Sequence, residues 1–476
     1  MRVTLGIGYP SLGDIPGEKE GYEDRSDTPR PGAALPPPRR RTGRRRAAFR
    51  LAFGAGRMGD GRQRKVDDMK GGIGVIELDE IREAALLLEG RVIRTPLVRS
   101  DTFSRMAGAE VHLKLESLQA GGSFKVRGAA YKLLKRREEI GPLGIVAASA
   151  GNHAQGVALA ARAAAIPATI VMPVWASMGK QEATKSYGAE VILAGDSLAE
   201  SISIAREMAE EGRPFIHPYD DPDIIAGQGT IGLEILEDLP DPDLIVVPVG
   251  GGGLIGGIAS AIKAVRPETE IVGVQAAACP SALEALRSGE RVTVEAKRSI
   301  ADGISVRQVG EANFPLIREL VSGVVLVEEE EIASAVLALL ERKKVLAEGA
   351  GAAPLAALLA SKLAFPLGCK VVLVISGGNL DPPLMERVVR QGLLKEGRIM
   401  RFSACIEDVP GSLARLLSLV AEKGGNVLHI HHARGGEEIP LFKTRVDLEV
   451  ETRGRGMIEE IKVALGEAGY EVLVRE

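Results

Sequence analysis

The chain has 476 residues, 45% of them apolar and 26% charged, with a formal net charge of -4. That length predicts two or three domains, and the charge balance leaves no electrostatic footprint for nucleic acid or an anionic membrane. The three cysteines, Cys279, Cys369 and Cys405, lie far apart without CxxC or Cys/His ligand spacing. This argues against a disulfide framework or a zinc site and for a reducing cytoplasm. The longest apolar runs, such as 244–249 and 371–375, are too short to span a bilayer.

Residues 1–70 differ from the rest of the chain. They carry a Pro-rich patch at Pro36 to Pro38 and arginine clusters at 39–41 and 44–46, without apolar periodicity. Such a segment buries too little surface to offset its ordering entropy, so it reads as a disordered tail or a translated leader upstream of a start near Met69. An organelle transit peptide would be poor in acids, whereas this stretch holds Asp14, Glu18, Glu20, Glu23, Asp24 and Asp27.

From about Val75 the pattern is regular. Residues 78–88 predict an amphipathic helix, 111–115 a strand, 126–134 a helix and 145–148 a strand. A helix from 152 to 165, a strand at 168–172, a helix near 181–187, a strand at 190–193 and a helix at 197–211 follow. The rhythm returns at 244–248, 256–265, 271–274 and 371–375. Alternating short apolar strands and helices predict an α/β fold with a mostly parallel sheet. The stretch 381–397 reads as a break before a second unit. Residues 399–476 then predict strand, helix, strand, strand, helix, strand, which is the ferredoxin-like βαββαβ plan.

Four motifs carry the chemistry. The run from Glu116 to Gly128 places Lys125 where a glycine-rich loop enters a helix. Amides there give a positive surrounding that lowers an amine pKa and favours covalent chemistry with a carbonyl. Taken alone, a lysine in this place more often only solvates a helix start. Ser149-Ala150-Gly151-Asn152-His153 follows a strand and opens a helix, which suits an anion such as a carboxylate, although Asn and Ser also serve simply as caps. His153 reads as a capping or packing residue. Gly250, Gly251, Gly252 and Gly253 between a strand and a helix make a phosphate cradle of backbone amides. Gly251, Gly253 and Gly256 also satisfy GxGxxG, but the next strand ends in Gln275 where a dinucleotide site needs an acid. The fourth motif, Ser376-Gly377-Gly378-Asn379, closes a strand, where open α/β sheets bind ligands. By itself it could be an ordinary turn.

Together these motifs resemble the fold type II (tryptophan synthase β-like) pyridoxal-phosphate enzymes, and within them the threonine dehydratases. The likeness runs from about Glu77 to Gln391 and adds Met172-Pro173, Ala301-Asp302-Gly303-Ile304 and the run from Ala347 to Ala352. It implies two open, mostly parallel α/β subdomains over residues 71–395 and pyridoxal 5'-phosphate as cofactor. It also implies deamination of L-threonine, and of L-serine, by β-elimination of water. By the same resemblance Lys125 carries the cofactor and removes the substrate's α-proton, and Phe124 lies beside the ring. Asn152 binds the phenolic oxygen, Gly250 to Gly253 with Leu254 the phosphate, and Ser376 the pyridine nitrogen. The loop Ser149, Ala150, Gly151, Asn152, His153 takes the substrate carboxylate. Related serine racemases carry a serine at the position of Ala150 as the opposite-face base, so racemisation is expected to be minor. Gln275 also departs from their cation site, and no metal is expected.

Ala404 to Leu413 resembles the opening of an ACT domain over residues 399–476, with Asp408 and Gly411 in the loop that helps bind an amino-acid effector. A structural dimerisation module is the competing reading of that tail. The biosynthetic dehydratases of the family are inhibited by isoleucine, and the short degradative type generally lacks this domain. A homo-oligomer, dimer or tetramer, is expected. His429 and His431 share one strand face with His432 on the other, and they are read as strand residues with no carboxylate nearby to complete a metal set. Serine dehydratases and other fold type II lyases or β-replacement enzymes remain the alternatives.

Overall fold

The computed structural model describes residues 76–434 and 439–475, so residues 1–70, read from the sequence as a leader, lie outside the described part. The elements that build the site are β1 (Leu97–Arg99), β2 (Glu110–Leu115), β3 (Ile145–Ala148), β4 (Ala168–Met172), β5 (Glu190–Leu193), β6 (Leu244–Pro248), β7 (Glu270–Ala276), β8 (Gly323–Val327) and β9 (Lys370–Ile375). Apolar runs such as Ile145–Ala148 and Leu244–Pro248 are buried along their whole length, as strands of a parallel sheet covered on both faces must be. They sort into two sheets. One has the order β1-β2-β9-β6-β7-β8, parallel except for the β1–β2 pair; the other is β3-β4-β5, wholly parallel. The predicted pair of open α/β subdomains is therefore observed.

Helices pack between and around the sheets: α1 (Leu78–Leu88), α2 (Asp101–Ala107), α3 (Lys125–Lys135), α4 (Asn152–Ala163), α5 (Met178–Ser186), α6 (Leu198–Glu210), α7 (Pro222–Asp238), α8 (Gly253–Val265), α9 (Ser281–Ser288), α10 (Asn313–Leu320), α11 (Glu329–Lys343) and α12 (Gly349–Leu359). Small residues set how closely α3 sits to its neighbours. A Cβ at Gly156 of α4 would lie 2.9 Å from the Lys125 carbonyl carbon, and one at Gly227 of α7 would lie 2.6 Å from the Gly128 Cα.

Beneath this junction lies a buried ionic network. Arg127 donates to Glu116 from Nε (2.9 Å) and Nη2 (2.8 Å), and to Glu234 from Nη1 (2.6 Å) and Nη2 (3.0 Å). Lys114 donates to Glu234 Oε2, the oxygen it shares with Arg127 Nη2, and to the Thr95 carbonyl, the latter at 2.7 Å. Two cations facing two carboxylates leave no buried charge uncompensated.

The stretch read as a break is instead a helix, α13 (Pro382–Lys395). Its Pro-Pro start looks like an interruption, but proline at the first helical position loses only an N–H that has no partner there. Leu384, Met385 and Val388, at helical spacing, pack onto the main core. After it come β10 (Ile399–Glu407), α14 (Ser412–Glu422), β11 (Asn426–Ala433), β12 (Lys443–Glu451), α15 (Arg455–Glu467) and β13 (Val472–Arg475). They form one antiparallel sheet of order β11-β12-β10-β13, with its own core on Phe402, Leu416, Val420, Ile461 and Leu465. The βαββαβ order holds. Among the described residues no helix is long and apolar enough to cross a membrane.

Candidate active site

Lys125 opens α3, and its position follows from the turn before it. Gly121 and Gly122 sit at φ of +73° and +72°, a conformation glycine adopts without penalty. Phe124 donates its N–H to the Ser376 carbonyl at 3.2 Å, and Ser123 bridges to Gly377. Two of the motifs, far apart in sequence, are thus tied backbone to backbone. The Lys125 Nζ donates to the Pro218 carbonyl at 2.7 Å and lies 5.1 Å from the centre of the Phe124 ring. Burial pulls its pKa down to about 8, against the opposing pull of the Glu348 carboxylate. Far more of the amine is therefore neutral, and nucleophilic, near neutral pH than for an ordinary lysine.

The segment holding that carbonyl also meets the glycine loop. The Nδ1 of His217 accepts from the N–H groups of Tyr219 (3.3 Å) and Asp220 (2.8 Å), and burial lowers its pKa to about 4, so the ring is neutral. The Tyr219 ring covers Gly251, where a Cβ would approach to 2.3 Å, and the Tyr219 carbonyl lies 2.8 Å from the Cβ position of Gly253. Gly252 has φ of +101° and caps α8, whose second residue, Leu254, is buried. No side chain fits at Gly251 or Gly253, so their backbone amides stand bare at the N-terminus of a helix. That is the geometry of a phosphate site.

Asn152 opens α4. Its Nδ2 donates to Glu348 Oε1 at 2.7 Å, and its Oδ1 accepts from Asn379 at 2.8 Å. Asn379 also donates to the Gly121 carbonyl at 2.7 Å, joining the second and fourth motifs to the turn before Lys125. In the same loop Ser149 accepts from the Gly151 N–H at 3.1 Å, while Ala150 packs against apolar neighbours. His153 is buried with Nε2 2.9 Å from the Ile216 carbonyl. Burial, with Lys125 beside it, lowers its pKa to about 3. A neutral ring donating to a carbonyl is not placed to act as a base from that nitrogen. Ser376 is buried at the end of β9.

Glu348 is the residue that motif reading left without a role. It caps α12, is 5% exposed, and lies where a Cβ on Gly377 would come within 2.4 Å of its Oε1. Burial raises its pKa to about 7, reinforced by Asp302 and opposed by the Asn152 hydrogen bond, Lys180 and Lys125. A titrating carboxyl in a buried cluster is a functional signal. The hint available in sequence was a lone acid in an otherwise small and apolar run, Ala347 to Ala352.

The Gln275 side chain is taken up by neighbouring protein groups. It accepts from the Ala282 and Leu283 N–H groups at the start of α9 and donates towards the Val249 carbonyl. Asp408 and Gly411 lie apart from this cluster, in the loop between β10 and α14. Asp408 accepts from Arg434 at 3.0 Å, and Gly411 has φ of +87°. His429, His431 and His432 are exposed on β11. One correction applies there: a carboxylate does stand near, Asp447 Oδ2 at 3.7 Å from His431 Nδ1.

The family model described as pyridoxal-phosphate dependent enzyme matches residues 88–377. An L-threonine ammonia-lyase of Thermotoga maritima is 48% identical over 401 residues, covering 84% of this chain and all of that one. Among solved structures, the processed form of threonine deaminase isoform 2 from Solanum lycopersicum superposes with a TM-score of 0.61 at 34% identity, over 67% of this chain and 96% of the other. Maize serine racemase superposes with a TM-score of 0.63 at 34% identity, over 67% and 99%. The matched span contains the lysine, the glycine loop and the serine turn that the fold draws together, and the chain belongs to the pyridoxal-phosphate dependent enzymes.

Proposed function

We propose that this chain deaminates L-threonine to 2-oxobutanoate and ammonia by β-elimination of water, with pyridoxal phosphate carried on Lys125. One observation carries the reading. A single short segment, His217 to Asp220, holds the Lys125 amine through Pro218 and roofs the glycine loop through Tyr219. The amine and a phosphate cradle thus sit on one support.

The residues present fit the cofactor. The amides of Gly250 to Gly253 with Leu254 would hold its phosphate, Asn152 its phenolic oxygen and Ser376 its pyridine nitrogen, and Phe124 would pack beside it. When bound, the cofactor supplies an electron sink for the bond that breaks at the substrate's α-carbon. Lys125, neutral above about pH 8, takes the α-proton. The loop from Ser149 to His153, with the N-terminus of α4 behind it, holds the substrate carboxylate. Ser376, a hydroxyl and not a carboxylate, would not keep that nitrogen protonated as an aspartate would. Ala150 has no hydroxyl to act as a base on the opposite face, so racemisation stays minor.

The test is an assay of 2-oxobutanoate from L-threonine and pyruvate from L-serine, with an added thiol to trap any replacement product. A replacement product in place of oxo acid would overturn the reading. The rate of cofactor capture by the apoenzyme should rise with pH through a midpoint near pH 8, since only the neutral amine attacks. A midpoint at the ordinary lysine value would remove Lys125 from this role.

Residues 71–395 form the catalytic part, and 399–476 an ACT-type regulatory part with its effector loop at Asp408 and Gly411. Removal of residues 396–476 should preserve turnover and abolish the response to amino-acid effectors. A coupling of about 1–3 kcal/mol, roughly 5- to 150-fold in apparent affinity, is the expected size of what is lost. Gly411→Val, at a positive φ that valine disfavours, should blunt the response without changing the unliganded rate. A full-length enzyme indifferent to isoleucine, valine, leucine, threonine and serine would make the tail structural.

A further inference from the structure

Lys180 stands in the first turn of α5, on the crossover from β4 to β5. A cation there opposes the helix macrodipole, so local preference does not explain it. Its partners lie across the gap, on the other subdomain. The Nζ is 3.2 Å from Asp302 Oδ2, in the loop between α9 and α10, and 3.7 Å from Asp381 Oδ2, at the start of α13. Ser177, just before α5, donates to Asp381 Oδ1 at 3.4 Å. On its inner side the Nζ comes within 3.9 Å of the position a Cβ on Gly151 would take, in the loop from Ser149 to His153. The next residue, Asn152, donates to Glu348, and Gly303, beside Asp302, has its Cβ position 3.6 Å from the same Glu348 oxygen. Burial, which would lower the Lys180 pKa, is outweighed by Asp302, Asp381 and Glu348, and the ammonium stays charged. With Lys180 removed, a carboxylate arriving at the loop would meet three acids of its own sign.

We infer that Lys180 is a specificity-determining residue: its ammonium supplies the full positive charge that meets the substrate's carboxylate at the Ser149–His153 loop and screens it from Asp302, Asp381 and Glu348. This role rests on the reading of that loop as the carboxylate site. Backbone amides at a helix N-terminus carry only partial charges and bond a carboxylate or a neutral carbonyl oxygen. A whole charge beside them separates the two. Lys180 therefore selects free α-amino acids over their amides and esters. A lysine that only tied the subdomains together would not tell an acid from its amide.

The test uses the full-length holoenzyme and two ligands without a hydroxyl to lose, L-2-aminobutanoate and L-2-aminobutanamide, the second with a neutral amide for the carboxylate. Binding is read from the change each causes in the cofactor's absorbance, which needs no turnover. The parent should bind the acid more tightly than the amide. Lys180→Gln should weaken the acid roughly tenfold, the scale of one lost contact to a charged group, and leave the amide no weaker than in the parent. Lys180→Arg should keep the preference, and Asp381→Asn, which frees Lys180 of one anion, should tighten the acid alone. In turnover the Gln variant should raise KM for L-threonine with kcat held, as loss of a contact made equally before and during reaction does. Equal weakening of acid and amide in the Gln variant would make Lys180 a mere tie and overturn the assignment. A Gln variant that binds both as the parent does, or a parent without preference for the acid, overturns it as well. Should Lys180→Gln not fold, Asp381→Asn decides, and unchanged acid binding there overturns the role. A parent that prefers the acid yet makes no 2-oxobutanoate sinks the deamination reading and leaves the role of Lys180 standing.

Discussion

Replacing Lys125 with alanine is expected to lower L-threonine turnover by roughly 10⁴-fold, because one side chain supplies both the attachment point and the base. The fold should survive. The hydrogen bond lost is the one to the Pro218 carbonyl, an unpaired acceptor costing about 1–3 kcal/mol. Against this stands a gain. The folded pKa, about 8, lies below the ordinary 10.5, so folding disfavours the charged amine. That penalty, about 3 kcal/mol from the difference, is full below pH 8 and vanishes above 10.5. At pH 7 the variant apoprotein should therefore melt within a few degrees of the parent or higher. Borohydride reduction and peptide mapping should find the cofactor on the Lys125 peptide of the parent and nowhere in the variant. Oxo-acid production near the parental rate would overturn the assignment.

Glu348→Gln should separate a carboxyl that acts from one that merely fills space. Glutamine keeps an oxygen to accept from Asn152 but cannot ionise, so the Asn152 side chain stays in place while the charge is removed. We expect turnover to fall roughly 10²-fold at pH 8, the scale of a lost proton-handling group, and the inflection near pH 7 to disappear from the rate profile. Stability should move the other way. The folded pKa of about 7 lies above the ordinary 4.5, so the folded state holds the proton more tightly. No penalty exists below pH 4.5, and it grows to about 3 kcal/mol above pH 7. The Gln variant should thus match the parent at acid pH and exceed it at pH 8. A position that weakens the fold yet keeps its carboxyl is explained by function. An unchanged pH profile and rate would reduce Glu348 to a packing residue.

What the sequence determined by itself is local and repetitive. Strands such as Ile145–Ala148 and Leu244–Pro248 were legible from short apolar runs between turn residues, because a parallel strand buried on both faces admits nothing else. The glycine runs were legible because a helix N-terminus facing an anion excludes side chains there. The tail's βαββαβ order was legible from its own succession of strand and helix segments. The helix Pro382–Lys395 was missed because proline ends a helix or begins one, and only the packing of Leu384 and Val388 on the core distinguishes the two. Tertiary structure alone decided the rest. Glu348 meets Asn152 across 196 residues, and Pro218 meets Lys125 across 93. Neither pairing leaves a periodic trace, since a single buried contact constrains one residue on each strand or turn and no neighbour. The pKa values of the lysine and the carboxyl likewise come from burial, which is a property of everything packed around a group and not of the residues beside it in the chain.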